Sequence, residues 1–188
     1  MISPQIETAR LVLRPITMGD LDDEAAMMGD ARVVEHITGG VPRPRERVVQ
    51  SIERSSHFWR TRGCGMFCVR TKGGAFVGDG LLVPIRHSGV PEARHADPES
   101  YGPDIEVGYR LTHRAWGKGY ATEIARAIVA FAMEDAEGPG LDRVVGVTAP
   151  ANEASKRVLV KAGLVYVSES DAYYDTTCSL FERRAAGA

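Results

Sequence analysis

Residues 104–133 constrain this chain most. "DIEVGYRL", "THRAWGKG" and "YATEIARAIVAFAM" read without a break as a strand, a glycine turn and a helix. In the strand, Ile105, Val107, Tyr109 and Leu111 alternate with Glu106, Gly108 and Arg110, the period of two that sends successive side chains to opposite faces. In the helix, read over 120–136, Ile124, Ala127, Ile128 and Phe131 recur at helical spacing and predict a buried face. Gly117 and Gly119 let the main chain turn sharply at the positive end of that helix, an arrangement that binds phosphate through backbone N–H groups. A tight turn that needs glycine for geometry alone has the same sequence, and the turn by itself leaves both readings open.

Two phosphate loops do not fit. A nucleotide-hydrolysing loop, G-x-x-x-x-G-K-[ST], requires a hydroxyl after its lysine, but Gly119 follows Lys118 and Thr112 stands where the first glycine belongs. A dinucleotide fingerprint, G-x-G-x-x-[GA], fails at Thr122 and opens a domain, whereas this turn lies late in the chain.

The remaining segments predict an α/β or α+β domain with a mixed sheet flanked by helices. Strands are expected at 9–16, at 65–71 and 75–85 joined through Lys72-Gly73-Gly74, at 143–149, and near 164–169 and 177–182. Helices are expected over 17–30, opened by Thr17, over about 44–61, and over 152–163, with Asn152 as N-cap and Gly163 just beyond the end. Segment 86–104 is polar and proline-bearing and reads as a long exposed loop. The 188 residues suit one domain over 6–183, with short tails at 1–5 and 184–188.

Bulk properties narrow the function by exclusion. A net charge of -2 provides no global field for nucleic acid and gives mild support to a cationic partner. No apolar run is expected to span or associate with a membrane, and the start "MISPQIETARLVLRP" lacks the pattern of a secretion signal, so the expected compartment is the cytoplasm. Cys64, Cys68 and Cys178 form no C-x-x-C pair and are expected to be reduced thiols. The five histidines, His36, His57, His87, His95 and His113, have no metal-ligand spacing, and no metal is expected.

Arg114, Gly117 and Gly119 match [RQ]-x-x-G-x-[GA]. Asn152, Ser155, Lys161, Gly163 and Leu164 match N-x-x-S-x-x-x-x-x-K-x-G-[FL], and the chain opens with "ETARLVLRPIT". In order, these segments resemble the GNAT superfamily of acyl-CoA N-acyltransferases, most of all the branch of ribosomal-protein N-terminal acetyltransferases. The resemblance covers about residues 6 to 183. It implies a mostly antiparallel central sheet, acetyl-CoA as co-substrate, direct transfer to a primary amine of a protein N-terminus or small molecule, and a homodimer. The cradle for the coenzyme A pyrophosphate falls on Arg114, Trp116, Gly117, Lys118, Gly119, Tyr120, Ala121 and Thr122. The pantetheine arm falls along the strand near Tyr109 to Leu111, and Asn152 and Ser155 line the far side. Trp116 is read as packing on the helix rather than stacking on adenine.

Direct transfer needs a neutral amine, a polarised thioester and a proton for the leaving thiolate. By the resemblance Glu106 is the candidate base, against a glutamate that points to solvent or pairs with an arginine. Tyr173 or Tyr174, in "DAYYDTT", is the candidate acid, against ordinary packing at a strand edge. Ser155 is not expected to act as a nucleophile, since no histidine and acid are placed to activate it. The competing class is a module that binds acyl-CoA as a sensor without turning it over.

Overall fold

The computed structural model describes residues 4–185; the outermost residues of both expected tails, 1–3 and 186–188, lie outside the described residues. The chain runs through β1 (Ile6–Glu7), β2 (Leu11–Pro15), α1 (Leu21–Met28), α2 (Ala31–Thr38), α3 (Arg45–Arg62), β3 (Gly65–Thr71) and β4 (Phe76–Pro84). It continues through β5 (Ile105–Leu111), α4 (Tyr120–Met133), β6 (Arg143–Thr148), α5 (Glu153–Lys161), β7 (Val165–Ser170) and β8 (Cys178–Arg184). The strands form one sheet in the order β1-β2-β3-β4-β5-β6-β8-β7. Neighbours pair antiparallel except β5 and β6, which run parallel because α4 carries the chain back between them.

Both faces of the sheet are covered, and alternation assigns each residue to its side. From β3, Phe67 and Val69 join Val107, Ile124, Ile128 and Leu159 in the core beneath α4 and α5. Met66 and Cys68 point the other way and join Met28, Val34, Val48 and Ile52 beneath α1, α2 and α3. Ile124 and Ile128 are wholly buried, and a fully buried aliphatic side chain contributes about 1.5–3 kcal/mol. Cys64, Cys68 and Cys178 are buried free thiols, as expected, each raised by burial above the ordinary thiol range. No helix among the described residues is long and apolar enough to cross a membrane.

Two differences from the sequence reading bear on function. The helix expected over 17–30 begins only at Leu21, after a 3₁₀ turn, and the separate α2 was not distinguished; Asp30 caps α2 by accepting from the Arg32 N–H at 3.0 Å. The loop after β4 is only partly a free excursion. Its first residues pair with the β7–β8 connection through a bridge between His87 and Tyr173, and its Tyr101 ring packs edge-on against Phe58 at 5.5 Å.

Candidate active site

A cavity of about 1540 Å³ runs from the glycine turn, past β5, to the inner faces of α2 and α3. It exists because β5 and β6 part. Their ladder has the single register pair Glu106–Val145, whereas β4 and β5 pair all along, from Gly78–Leu111 to Pro84–Ile105. The β6-facing edge of β5 beyond Glu106 thus leaves peptide groups for another extended chain.

At one end of the cavity lies the turn. Gly117 and Gly119 have φ of +74° and +77°, the left-handed region that side chains with a Cβ rarely adopt. A Cβ on Gly117 would meet no atom within 4 Å, so its glycine serves the backbone path and leaves the space above the turn open. Gly119 is the N-cap of α4, with no side-chain cap, and Gly117, Gly119, Tyr120, Ala121 and Thr122 all line the cavity. Unsatisfied N–H groups and the positive end of a helix face an open concavity, which fits a diphosphate. The only carboxylate of the first turn of α4, Glu123, is turned away to Thr8 and Arg10, at 2.6 and 2.7 Å.

Halfway along, β5 presents Glu106 on the face opposite Val107. Glu106 is only 6% exposed, and its Oε2 accepts a hydrogen bond from the Tyr174 hydroxyl. Burial pushes its carboxyl up to about 7, against smaller downward pulls from Tyr174 and Arg110. Burial, reinforced by the neighbouring Glu106 carboxylate, raises the Tyr174 phenol well above its ordinary value. Tyr174 itself remains 37% exposed, so one residue connects the cavity rim with the buried acid.

Tyr174 reaches Glu106 because the β7–β8 connection is held in an unusual shape. Tyr174 and Asp175 both have positive φ, 60° and 56°. Such strain in non-glycine residues costs about 1–3 kcal/mol each and collects at functional sites. The turn is stapled to the residues after β4: Asp175 accepts from Arg86 at 2.5 Å and from the Gly89 N–H at 2.7 Å, and the Tyr174 N–H donates to the Arg86 carbonyl at 3.2 Å. The roles of Arg86 and Asp175 were missed in the sequence, since residues so far apart give no local signal of pairing.

Tyr173 goes elsewhere. It is 4% exposed, packs with Ile85, Val145 and Cys178, and donates to Asp104 at 3.0 Å. Asp104 also binds Arg143 at 2.5 Å, and the His87 ring lies 5.0 Å from that of Tyr173. Tyr109 and Leu111 line the cavity, as do Asn152 and Ser155. The Tyr109 hydroxyl bonds Ser155 at both its carbonyl (3.1 Å) and its Oγ (2.9 Å), while Asn152 Oδ1 accepts from the Ser155 N–H at 3.0 Å. This ties β5 to the start of α5 across the parting of the strands.

Arg114 and Lys118 do not face the cavity. Arg114 is directed to the Phe76 carbonyl at 3.4 Å, and Lys118 offers its own carbonyl to Arg10 at 2.8 Å. Trp116 lines the cavity, is 45% exposed and tilted against His113, and its Nε1 donates to the Leu111 carbonyl at 3.0 Å.

The comparisons with known proteins agree with this geometry. The family model described as an acetyltransferase (GNAT) domain matches residues 10–165. The chain is 30% identical to the FsC-acetyl coenzyme A-N(2)-transacetylase of Aspergillus fumigatus, over 92% of its own length and 70% of that protein. Among solved structures, an acetyltransferase from Agrobacterium tumefaciens superposes with a TM-score of 0.77 at 21% identity, covering 98% of this chain and 96% of that one. A ribosomal L7/L12 α-N-protein acetyltransferase solved with coenzyme A superposes with a TM-score of 0.71 at 13% identity, covering 96% and 98%.

Proposed function

This chain belongs to the GNAT family of acetyltransferases and uses acetyl-CoA, and from that premise we propose that it acetylates a primary amine, with Glu106 as base and Tyr174 as acid. The observation that carries the assignment is the buried hydrogen bond between those two side chains, in the cavity that also opens onto the glycine turn. The acceptor is an α-amine of a protein N-terminus or of a small molecule. An α-amine with a pKa near 8 is neutral far more often at physiological pH than a lysine near 10.4.

Bound acetyl-CoA supplies a thioester whose carbonyl carbon can accept the amine. The N–H groups of Gly119 to Thr122 hold its diphosphate, and the free edge of β5 from Tyr109 to Leu111 orients its arm. Glu106, ionised, takes the proton of the attacking amine on Oε2, directly or through one water. That proton removes the negative charge which, added to burial, holds the Tyr174 phenol above its ordinary value, so Tyr174 becomes a better acid at the moment the leaving sulfur needs a proton. Burial of the pair strengthens this coupling. Tyr173, committed to Asp104, is a packing residue in this reading.

The test is thiol release from acetyl-CoA over a panel of α-amines, peptides and small amines. Amine-dependent release is expected, and it falls by about 10²–10⁴ in Glu106→Gln. Tight coenzyme A binding without release on any amine would return the chain to the class of sensors. A pairing of two copies is supported by edge strand β7, where Val165, Tyr166 and Val167 are 69%, 49% and 47% exposed.

A further inference from the structure

We infer that the acceptor carries an anionic group beside its amine, a carboxylate or a phosphate, and that Arg43 and Arg54 bind it. This rests on the reading of the cavity as the site of amine acetylation and narrows the substrate class. It reverses the mild expectation of a cationic acceptor, because the net charge of -2 does not describe the local wall.

The wall opposite the glycine turn is rich in arginine. Arg32, Arg43, Arg47 and Arg54 come from α2, α3 and the link between them, and Arg86 and Arg110 from the sheet side. Four are already matched: Arg32 by Asp30 at 2.6 Å, Arg47 by Glu92 at 3.1 Å, Arg86 by Asp175 at 2.5 Å, and Arg110 by Asp79 and Glu24. Two are not. Arg54 donates only to neutral oxygens, the His95 carbonyl at 3.1 Å and Ser51 Oγ at 3.3 Å. Arg43 is half-buried, and among the described residues its guanidinium has neither a carboxylate nor a hydrogen-bond partner. Its backbone is nevertheless held, between Pro42 and Pro44 and by its N–H donating to the Met28 carbonyl at 3.0 Å.

No nearby carboxylate makes up the difference. Asp79 is committed to Arg110 through both oxygens. Glu24 Oε2 is buried without a partner, and burial together with Asp79 pushes that carboxyl well above the carboxylate range, towards its neutral acid. Of the carboxylates that line the cavity, Glu106 is bonded to Tyr174, Glu35 is exposed and Glu92 is taken by Arg47. Burial, then the repulsion of Arg110 and to a lesser degree Arg54, pulls the Arg43 guanidinium down to about 10 against a smaller opposing pull from Asp79, and a bound anion offsets both the burial and the repulsion. Guanidinium groups suit planar carboxylates and phosphates because their N–H groups bond two oxygens at once. Arg43 lines the same cavity as Tyr174, which bonds Glu106. An anion on Arg43 and an amine at Glu106 therefore belong to one small molecule with its amine a few bonds from the anion: the pattern of an α-amino acid or of a 2-aminoalkyl phosphate.

The test uses amine pairs that differ in the anion: glycine against glycinamide for carboxylate, and aminoethyl phosphate against ethanolamine for phosphate, compared at equal concentrations of neutral amine. In thiol release, the anionic member of at least one pair is expected to have the higher kcat/KM by about tenfold or more. The responding pair identifies the source. In Arg43→Gln that ratio falls towards one through KM, and Arg43→Lys restores part of it. Ratios near one in both wild-type pairs overturn the proposal, as does an equal loss for both members in Arg43→Gln. A second arm does not depend on turnover. The coenzyme A-saturated protein is titrated with inorganic phosphate and with acetate, and binding of either one is expected in the wild type and lost in Arg43→Gln/Arg54→Gln. Equal binding or none in both proteins overturns the anion site. Anion binding without thiol release on any amine leaves the site standing and removes the acetylation reading instead.

Discussion

The Tyr174 hydroxyl donates to Oε2 of Glu106, joining a strained turn to the start of β5 across 68 positions of sequence. The bond does not cancel the cost of burying the acid, since Glu106 still rises from 4.5 to about 7. The folded state therefore binds this proton more tightly than the unfolded chain. Its contribution to stability is fully present below pH 4.5 and is lost as pH rises through about 7. Urea midpoints compared between pH 5 and pH 8 are expected to fall more in the wild type than in Glu106→Gln, which has no proton to lose. Parallel curves would show that Glu106 is not perturbed.

The two adjacent tyrosines are expected to separate cleanly. Tyr174→Phe removes a donor that lowers the Glu106 pKa, so the acidic limb of the rate profile moves up in pH while kcat falls by about 10²-fold. Tyr173→Phe loses a bond to Asp104 and costs about 1 kcal/mol of stability, with the limb in place. Steady-state profiles of both variants check this, and the reverse pattern would assign the acid to Tyr173.

Gly119→Ala forces a Cβ onto a residue with φ of +77°, where it also lies 3.5 Å from Arg10 Nη2. The backbone strain is about 1–2 kcal/mol. If the strain is relieved by turning the N–H groups of α4 away from the cavity, coenzyme A binds about tenfold more weakly while the protein still folds. Calorimetric titration measures it, and an unchanged Kd would remove the diphosphate from this turn.

What was legible in advance depended on whether the signal was local. The glycine turn needs positive φ at two positions, and only glycine supplies that readily, so Gly117 and Gly119 announce it. Asn152 announces the start of α5 for the same reason: its side chain bonds the Ser155 N–H within one turn. Glu106 is placed by strand alternation, though the alternation does not say that α1, α2 and α3 cover its face. That Tyr174, rather than Tyr173, bonds Glu106 was illegible. It turns on positive φ at Tyr174 and Asp175 and on bonds from Arg86 and Gly89, none of which has a local signature. Arg43, between two prolines, reads as part of a chain break, and its lack of a partner appears only once the other arginines are matched.

The central claim, that a buried Glu106 removes the proton from the attacking amine, is tested most directly by the pH dependence of thiol release for wild type and Glu106→Gln. The acceptor for this comparison is an amine whose own pKa lies well above the range scanned. The base works only when ionised, so wild-type kcat is expected to rise through an apparent pKa of about 7, and the variant is expected to be slower by about 10²–10⁴ with that limb absent. A variant that keeps the limb near pH 7 at a comparable rate would contradict the account.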